Sequence, residues 1–294
     1  MAEQRNLMLR GGRVLPVGGR TLVAGTLNVT PDSFYDGGRY FGSIEKAVAR
    51  VREHVEEGAD IVDIGGESTR PGSEPVSAEE ELRRVIPVIQ AVREQIGSDV
   101  IVSIDTYKSG VARQALEAGA DMINSVGGMT FDPEIAAVAG EYGCPLAVYH
   151  IRGNPRNMQE GEIVYRDVIA DIGEFFEAQI QMGLARGMRR EQFVIDPGIG
   201  FGKTVRHNLE IIRRLGEFKK IGRPILIGVS RKSHLGVILK DALGLAEPPP
   251  AEERLEASLA ETAVAVLNGA DFVRTHDVKE TRRFLAVIDA FART

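Results

Sequence analysis

The chain has 294 residues, 43% of them hydrophobic, and carries 36 Lys and Arg against 42 Asp and Glu, a formal charge of −6. This length allows a large core in one barrel or in two α/β domains. The acidic balance leaves no broad basic surface, so nucleic acid is not an expected partner. The one cysteine, Cys144, excludes an internal disulfide and a cysteine-based metal site, and we expect it to be buried.

No apolar run approaches the roughly 20 residues needed to cross a bilayer. The first ten residues also lack the apolar core of a signal peptide. We therefore expect a cytoplasmic protein with no membrane partner.

The start of the chain predicts a β-hairpin, because apolar segments at 7–9 and 13–17 flank Gly11 and Gly12. Such a hairpin could close one end of the fold. A buried strand is predicted at 21–29. A polar, glycine-bearing loop from Thr30 to Gly38 follows, and then a helix that Ser43 can cap.

The stretch from Gly58 to Gly72 reads GADIVDIGGESTRPG and predicts a helix end, a short apolar strand and a polar loop. The tripeptide Gly-Ala-Asp recurs at 119–121 and 269–271, each time between a predicted helix and a predicted strand. It is a common helix stop, so alone it indicates only α/β architecture. Because strands covered by helices are apolar along their bodies, polar side chains gather at their carboxyl ends.

The rest of the chain alternates in the same way. Further strands are predicted at 61–64, 100–104, 122–125, 146–149, 193–195, 225–227 and from 272, and further helices at 77–96, 109–118, from 132, 163–186, 204–218, 251–268 and 278–291, with 240–250 as a loop. Eight such pairs predict an eight-stranded parallel β/α barrel (a TIM barrel) with an N-terminal β-hairpin, in a single domain spanning 1–294. A doubly wound open sheet is the alternative, although its Gly-x-Gly-x-x-Gly signature is missing after the first strand.

Polar residues follow the predicted strands. They are Asn28; Asp63 with Glu67, Thr69 and Arg70; Asp105; Asn124; His150; Asp196; Ser230 to Ser233; and Arg274 with His276. Any one of these is commonly a helix cap or a solvated group. Unpaired polar groups in a barrel mouth cost about 1 to 3 kcal/mol each, however, so the whole set predicts a functional site there.

Two other patterns are weaker. Gly202-Lys203-Thr204 resembles the end of a phosphate-binding loop, but Pro197 stands where that loop needs a glycine. We expect this segment to shape a loop around a ligand. His54, His207 and His234 stand singly, without zinc-ligand spacing, and are expected at the surface.

Five segments together carry a family resemblance: 25–34 (GTLNVTPDSF), 65–72 (GGESTRPG), 103–106 (SIDT), 195–203 (IDPGIGFGK) and 228–233 (GVSRKS). From about Leu22 to its end, the chain resembles the dihydropteroate synthases. The resemblance implies a barrel enzyme, usually a homodimer, that condenses para-aminobenzoate with hydroxymethyl-dihydropterin pyrophosphate. It further implies release of pyrophosphate with Mg²⁺, and sulfonamides that mimic the aminobenzoate.

The resemblance also implies roles for individual residues. The pterin would be held by Asp105, Asn124, Asp196 and Lys232; the pyrophosphate and metal by Asn28, Arg274 and His276; and the aminobenzoate by Thr69, Arg70, Pro71, Phe201 and Ser233. Asp105, Lys232 and Arg274 would be catalytic, and Asn28 the metal ligand. One segment departs from the family, since this chain has His150-Ile151-Arg152-Gly153 where relatives often have His-Met-Gln-Gly. That leaves the role of Arg152 open.

The chemistry of these residue types agrees with the resemblance. Carboxylates such as Asp196 can accept hydrogen bonds from the guanidine-like edge of a pterin. Loss of pyrophosphate leaves a cation that Asp105 can stabilise. An aniline nitrogen attacks without a strong base, which fits the lack of a Ser-His or Cys-His arrangement.

Two other functions stay open at this point. A methyltetrahydrofolate-binding methyltransferase domain shares the barrel and a similar pterin-holding set, but has little use for the pyrophosphate residues Arg274 and His276. A non-catalytic pterin-binding paralogue could lose Arg70, Lys232 or Arg274, and this chain retains all three. Leu255, Leu259, Ala263 and Val266 form an apolar stripe that suits either the core or a dimer surface.

Overall fold

The computed structural model describes residues 5–30, 43–70 and 72–292. Most of the loop from Thr30 to Gly38 therefore lies outside the described residues, as does Pro71. The strands are β1 (Arg5–Met8), β2 (Val14–Val17), β3 (Leu22–Asn28), β4 (Ile61–Gly65), β5 (Ile101–Asp105), β6 (Met122–Val126), β7 (Leu146–Tyr149), β8 (Phe193–Asp196), β9 (Leu226–Gly228) and β10 (Phe272–Thr275). The α-helices are α1 (Ile44–Glu56), α2 (Ala78–Gln95), α3 (Ser109–Ala118), α4 (Glu134–Tyr142), α5 (Val168–Leu184), α6 (Val205–Arg213), α7 (Ser233–Leu243), α8 (Leu255–Leu267) and α9 (Val278–Ala292).

Strands β3 to β10 form one parallel sheet, in the order β8-β7-β6-β5-β4-β3-β10-β9. A parallel bridge between Ile195 and Ile225 joins the two ends of this order and closes the barrel. The predicted barrel is confirmed, and the open-sheet alternative is wrong. Because all eight strands run the same way, their carboxyl ends meet at one mouth.

The hairpin of β1 and β2 closes the opposite end. Leu7, Leu9, Leu15 and Val17 are buried in one cluster with side chains from the amino ends of the barrel strands, such as Phe272. The predicted hairpin plug is confirmed. It fills the end of the barrel that lies away from the polar mouth.

The Gly-Ala-Asp tripeptides do join helices to strands, and their aspartates have a structural task. The carboxylates of Asp60, Asp121 and Asp271 accept the backbone N–H groups of Val23, Val102 and Ile225, at 2.8, 2.8 and 2.9 Å. Each acceptor thus satisfies a donor at the amino end of the neighbouring strand. These aspartates hold the barrel together far from the mouth.

The helices depart most from the prediction in two places. Residues 240–250 were expected to be a loop, and no helix was predicted before them, but α7 runs from Ser233 to Leu243, so the connection from β9 to β10 contains both α7 and α8. Helix α7 buries Leu235 and ends before Gly244, which adopts the left-handed conformation, ahead of the prolines at 248–250. Helix α5 begins at Val168 rather than at 163, because the Asp167 side chain caps it by accepting N–H bonds from Ile169 and Ala170.

Two histidines expected at the surface are buried. His54 packs on the inner side of α1 with its Nε2 3.2 Å from the carbonyl oxygen of Thr26, and burial lowers its pKa to about 4. The Nε2 atom of His234 lies 3.0 Å from both carboxylate oxygens of Glu261. A single histidine on a helix carries no sequence signal of the face it occupies, so the prediction was wrong for both. His207 is half-buried, and the Cys144 thiol is buried, as expected.

Across the described ranges, no helix is both long enough and apolar enough to cross a membrane.

Candidate active site

One row of register partners crosses four strands at the mouth. Asn28 of β3 pairs with Gly65 of β4, Gly65 with Asp105 of β5, and Asp105 with Asn124 of β6. A Cβ atom on Gly65 would lie 3.5 Å from the Cβ of Asp105 and 3.7 Å from Oδ1 of Asn28. Glycine therefore leaves open the space that the Asn28 amide and the Asp105 carboxylate border.

Arg274 of β10 joins two of the mouth carboxylates. Its Nε donates to Oδ2 of Asp63 at 2.6 Å, and its Nη2 donates to Oδ2 of Asp105 at 2.8 Å. The side-chain amide of Asn124 donates to the same Asp63 oxygen at 3.0 Å. Burial lowers the pKa of Arg274, but the charges of Asp63 and Asp105 outweigh this effect and hold the pKa above its usual value.

Asp105 lies in a strongly perturbed environment. Burial raises its pKa to about 7; Arg274 opposes that rise, the charge of Asp63 adds to it, and a hydrogen bond from the Tyr149 hydroxyl, at 3.2 Å, opposes it. The Arg274 guanidinium, which donates to Oδ2, favours the ionised form of Asp105. Such perturbation, together with a charged partner in a cleft, is typical of functional groups.

Asp196, at the end of β8, lines the pocket at the same mouth of the barrel. Its Oδ1 accepts the backbone N–H of Gly198 at 2.7 Å. Burial raises the pKa of Asp196 to about 6, while the Gly198 bond and the charge of Lys232 lower it. Gly198 is required here, since it has a φ of +69° and an added Cβ would lie only 1.9 Å from the carbonyl oxygen of His150.

Lys232 reaches the same pocket from the loop after β9. Its Nζ lies 4.2 Å from the centre of the Phe201 ring, a cation–π contact. Burial lowers the pKa of Lys232 to about 8, and the nearby charge of Arg274 acts in the same direction. Lys232 still carries its charge at neutral pH.

His276 follows β10 and faces Ser230, with 3.0 Å between its Nδ1 and the serine Oγ. Burial and then the charge of Arg274 lower the pKa of His276 to about 3. The imidazole is therefore neutral at physiological pH, and it can act as a hydrogen-bonding group but not as a cation.

One pocket collects many of the predicted side chains. Six of them line it: Asn124, Asp196, Phe201, Lys232, Arg274 and His276. Asp105 lies beside it, bonded to Arg274 and Tyr149. Among the described residues, Tyr149 and Thr26 also line this pocket, and the sequence reasoning assigned neither of them a role.

Three other predicted residues, Thr69, Arg70 and Ser233, lie outside that lining. Thr69 and Arg70 are half-buried in the loop after β4, where the Ser73 hydroxyl donates to the carbonyl oxygens of Ser68 and Arg70 at 2.6 and 2.8 Å. Ser233 is exposed at the start of α7. Pro71 lies outside the described residues. The assignment of these four residues to the aminobenzoate stays a prediction.

Glu67 anchors the start of the loop that carries Thr69 and Arg70. It accepts a hydrogen bond from the Tyr107 hydroxyl at 2.9 Å and pairs with Lys108, which also pairs with Glu81 of α2. The loop after β4 is thereby tied to the start of α3 and to α2.

The sequence reasoning gave Lys203 no structural role. It is buried, and its Nζ lies 2.9 Å from Nδ1 of His150 and 3.0 Å from the carbonyl oxygen of Phe201. Burial lowers the pKa of Lys203 to about 7. The lysine points into the protein interior, which agrees with the rejection of a phosphate-binding loop. Nothing in the sequence signals this direction.

Arg152 lies in the loop after β7, in the segment that departs from the family. Its guanidinium donates to the carbonyl oxygens of Met158, Glu160 and Glu162, at 3.3, 3.2 and 3.0 Å. Arg152 thus holds the loop after β7 together.

Within the described residues, no three His, Cys, Asp or Glu side chains converge as a metal site would require. The Asn28 amide makes no hydrogen bond to another described residue and borders the space above Gly65. A single amide oxygen suits Mg²⁺, which keeps several waters and commonly binds through one or two protein ligands together with substrate phosphates.

A closed parallel barrel with a charged pocket at the carboxyl ends of its strands defines a β/α-barrel enzyme. The sequence narrows this class, because residues 24–276 match the pterin binding enzyme family. A dihydropteroate synthase of Synechocystis sp. is 47% identical over 94% of this chain and 92% of its own length. The chain thus belongs to the pterin binding enzyme family, and within it to the dihydropteroate synthases, which are transferases.

Solved structures agree with this placement. The Yersinia pestis dihydropteroate synthase in a sulfonamide drug complex is 37% identical and superposes with a TM-score of 0.90, covering 99% of this chain and 100% of that one. The Xanthomonas albilineans dihydropteroate synthase with 4-aminobenzoic acid is also 37% identical, with a TM-score of 0.86 and the same coverage.

Proposed function

We propose that this chain condenses para-aminobenzoate with hydroxymethyl-dihydropterin pyrophosphate, giving dihydropteroate and pyrophosphate in folate biosynthesis. The observation that carries the proposal is the pocket in which Asp196, Asn124 and Lys232 surround the space next to Arg274, while Arg274 bridges Asp63 and Asp105. Membership of the dihydropteroate synthases supports the same reaction.

The pterin ring would be held by Asn124, Asp196 and Lys232. A carboxylate accepts N–H bonds from the guanidine-like edge of the ring, and Asp196 already has one oxygen oriented by the Gly198 N–H. The Asn124 amide and the Lys232 ammonium can bond to the ring's acceptor atoms. Phe201 completes the wall beneath Lys232.

Bond breaking would be served by Asp105, Arg274 and His276. When the bond from the pterin methylene to pyrophosphate breaks, its electron pair leaves with the oxygen and a delocalised cation remains. Asp105 stabilises that positive charge as it develops. Within the described residues the Nη1 group of Arg274 makes no hydrogen bond, so it can donate to the departing anion, and neutral His276 can add a second donor.

Bond formation follows by attack of the aminobenzoate nitrogen on the methylene carbon, after which the nitrogen loses a proton to solvent. The nitrogen attacks through its own lone pair and needs no strong base. Thr69, Arg70, Pro71, Phe201 and Ser233 would surround the aminobenzoate, as the family resemblance implies. A sulfonamide would compete for the same space.

Mg²⁺ would be held by Asn28 together with the pyrophosphate oxygens. When bound, the cation neutralises negative charge on the leaving group. Asn28 lies in the same row as Asp105, and its strand β3 pairs with β10, which carries Arg274, so the register supports a metal position near the leaving group.

The alternatives are less well supported. A methyltetrahydrofolate-binding methyltransferase would leave Arg274 and His276 without an anion to bind. A non-catalytic paralogue would have no need for Lys232 in the pocket together with the buried ion pair of Arg274 and Asp105 beside it.

A turnover assay tests the proposal. The purified chain, supplied with both substrates and Mg²⁺, should release pyrophosphate in step with dihydropteroate formation. Methyl transfer from methyltetrahydrofolate, or pterin binding without pyrophosphate release, would instead favour one of the two alternatives.

We also propose that the protein is a homodimer through α8 and α9, which pack side by side. Val264 and Leu267 on α8 are 45% and 55% exposed, and Val287 and Phe291 on α9 are 59% and 73% exposed. The stripe of Leu255, Leu259 and Ala263 is half-buried, and Val266 is buried, so the candidate dimer surface lies on the neighbouring side of α8. A cytoplasmic location stays a prediction from the sequence.

A further inference from the structure

Tyr149 ends β7 within the pocket wall. It is buried, with 5% of its surface exposed, and its hydroxyl donates to Oδ1 of Asp105 at 3.2 Å. Its ring makes an edge contact with the Phe201 ring, with 5.3 Å between the centroids. Tyr149 therefore contacts both a proposed catalytic carboxylate and the aromatic wall under Lys232.

The ring of Tyr149 is firmly held. It belongs to a buried cluster with Val126, Ile151 and Met158. Because this packing surrounds a large, rigid side chain with few rotatable bonds, the position of the hydroxyl is fixed by the core and does not depend on a ligand.

The two oxygens of Asp105 have donors of different kinds. Tyr149 holds Oδ1, whereas Arg274 holds Oδ2 and shares its charge with Asp63. The Nη1 group of Arg274 can donate to a pyrophosphate in the pocket, so the anion and Asp105 share the positive charge of one guanidinium. A neutral hydroxyl on a packed ring does not follow the anion.

We propose, resting on the function proposed above, that Tyr149 is a positioning residue that keeps the Asp105 carboxylate aimed at the pterin methylene while Arg274 engages the leaving pyrophosphate. The hydroxyl acts on Asp105 and takes no part in bond making or breaking. Its contribution is greatest when bond breaking is under way, because Arg274 then divides its hydrogen bonds between Asp105 and the departing anion. Tyr149 thus affects turnover more than substrate binding.

The test is Tyr149→Phe, which removes only the hydroxyl and keeps the ring. We expect kcat to fall by about tenfold or more, as for loss of a hydrogen bond to a charged group, with the KM of each substrate within about twofold of the unchanged protein. The binding of pteroic acid should stay the same, and the melting temperature should fall by only a few degrees, because the buried Asp105 oxygen loses one donor. Tyr142→Phe is the matched control, since Tyr142 donates to Glu117 at 3.0 Å outside the site, and its turnover should not change.

Tyr149→Leu separates the hydroxyl from the packing of the ring. If Tyr149→Phe keeps full kcat and only Tyr149→Leu is impaired, the ring alone matters and the proposal is wrong. Parallel increases in both KM values with kcat unchanged in Tyr149→Phe would also overturn it. Failure of the unchanged protein to release pyrophosphate would count against the proposed function itself, which keeps the two outcomes distinct.

Discussion

Arg231 and Asp277 form a buried, two-pronged ion pair that ties the loop after β9 to the loop after β10. Nε of Arg231 lies 2.8 Å from Oδ2 of Asp277, and Nη2 lies 2.7 Å from Oδ1. Arg231 has a φ of 55°, and among the described residues it is the one non-glycine residue with a positive value. This strained backbone precedes Lys232, and Asp277 follows His276, so the pair fixes two walls of the pocket relative to each other.

We predict that Asp277→Asn lowers the free energy of unfolding by about 3 kcal/mol or more, because it removes the carboxylate charge that pairs with the buried Arg231 guanidinium. Urea unfolding measures the loss. Glu141→Gln is the matched control: Arg113 and Glu141 form the same two-pronged pair, at 2.9 and 2.8 Å, on the outer surface. Solvent screens that pair, so Glu141→Gln should lower the free energy of unfolding only slightly. Equal losses in the two variants would mean that burial does not decide the strength of the Arg231 pair.

Asp196→Asn should weaken pterin binding by about 1.5 to 3 kcal/mol, since an amide replaces a charged acceptor facing the guanidine-like edge of the ring. Calorimetry with the pterin substrate tests this. Asp167→Asn, at the cap of α5 and away from the pocket, should leave the affinity unchanged. Unaltered pterin affinity in Asp196→Asn, with the fold intact, would remove Asp196 from the pterin site.

Pterin binding should also weaken at low pH. Burial raises the pKa of Asp196 to about 6, so protons compete with the pterin edge for this carboxylate below that pH. The affinity for a pterin without pyrophosphate should then fall by about tenfold per pH unit below pH 6 and level off above it. Calorimetry from pH 5 to pH 8 gives the profile. The Asp196→Asn variant should show a flatter dependence, and an equal slope in both proteins would assign the titration to another group.

Arg274→Lys should reduce turnover by about 10² or more, while a pterin lacking pyrophosphate binds as before. Lysine keeps the charge but lacks the planar guanidinium that bonds to Asp63 and Asp105 at once. It therefore cannot also donate a hydrogen bond to the leaving pyrophosphate. Steady-state kinetics and calorimetry test the two parts. Arg282→Lys, which changes a partner of Asp60 at the far end of the barrel, is the control and should leave turnover intact. Equal losses of pterin affinity and turnover would place Arg274 in the pterin pocket instead.

Leu267→Glu should dissociate the proposed dimer, because a charge on the exposed face of α8 would be buried without a partner at the interface. Light scattering after size-exclusion chromatography gives the mass. Val164→Glu places the same charge at an apolar residue that is 64% exposed in the loop before α5, and should not change the mass. A monomeric mass for the unchanged protein would refute the dimer directly.

The sequence alone determined the barrel, its hairpin plug and the polar mouth. These follow from local patterns, since apolar runs, capping residues such as Ser43 and Ser77, and polar strand ends each depend on neighbours a few residues away. The family motifs added residue identities, and six of the predicted side chains do line one pocket.

Only the tertiary structure decided which groups meet. Arg274 and Asp63 are 211 residues apart in sequence, yet their atoms lie 2.6 Å apart, and no local pattern encodes that pairing. The same holds for the hydroxyl of Tyr149 on Asp105, for the inward direction of Lys203, and for the burial of His54 and His234. A side chain's direction and pKa are set by the strands and helices packed around it, and these come together only when the barrel closes.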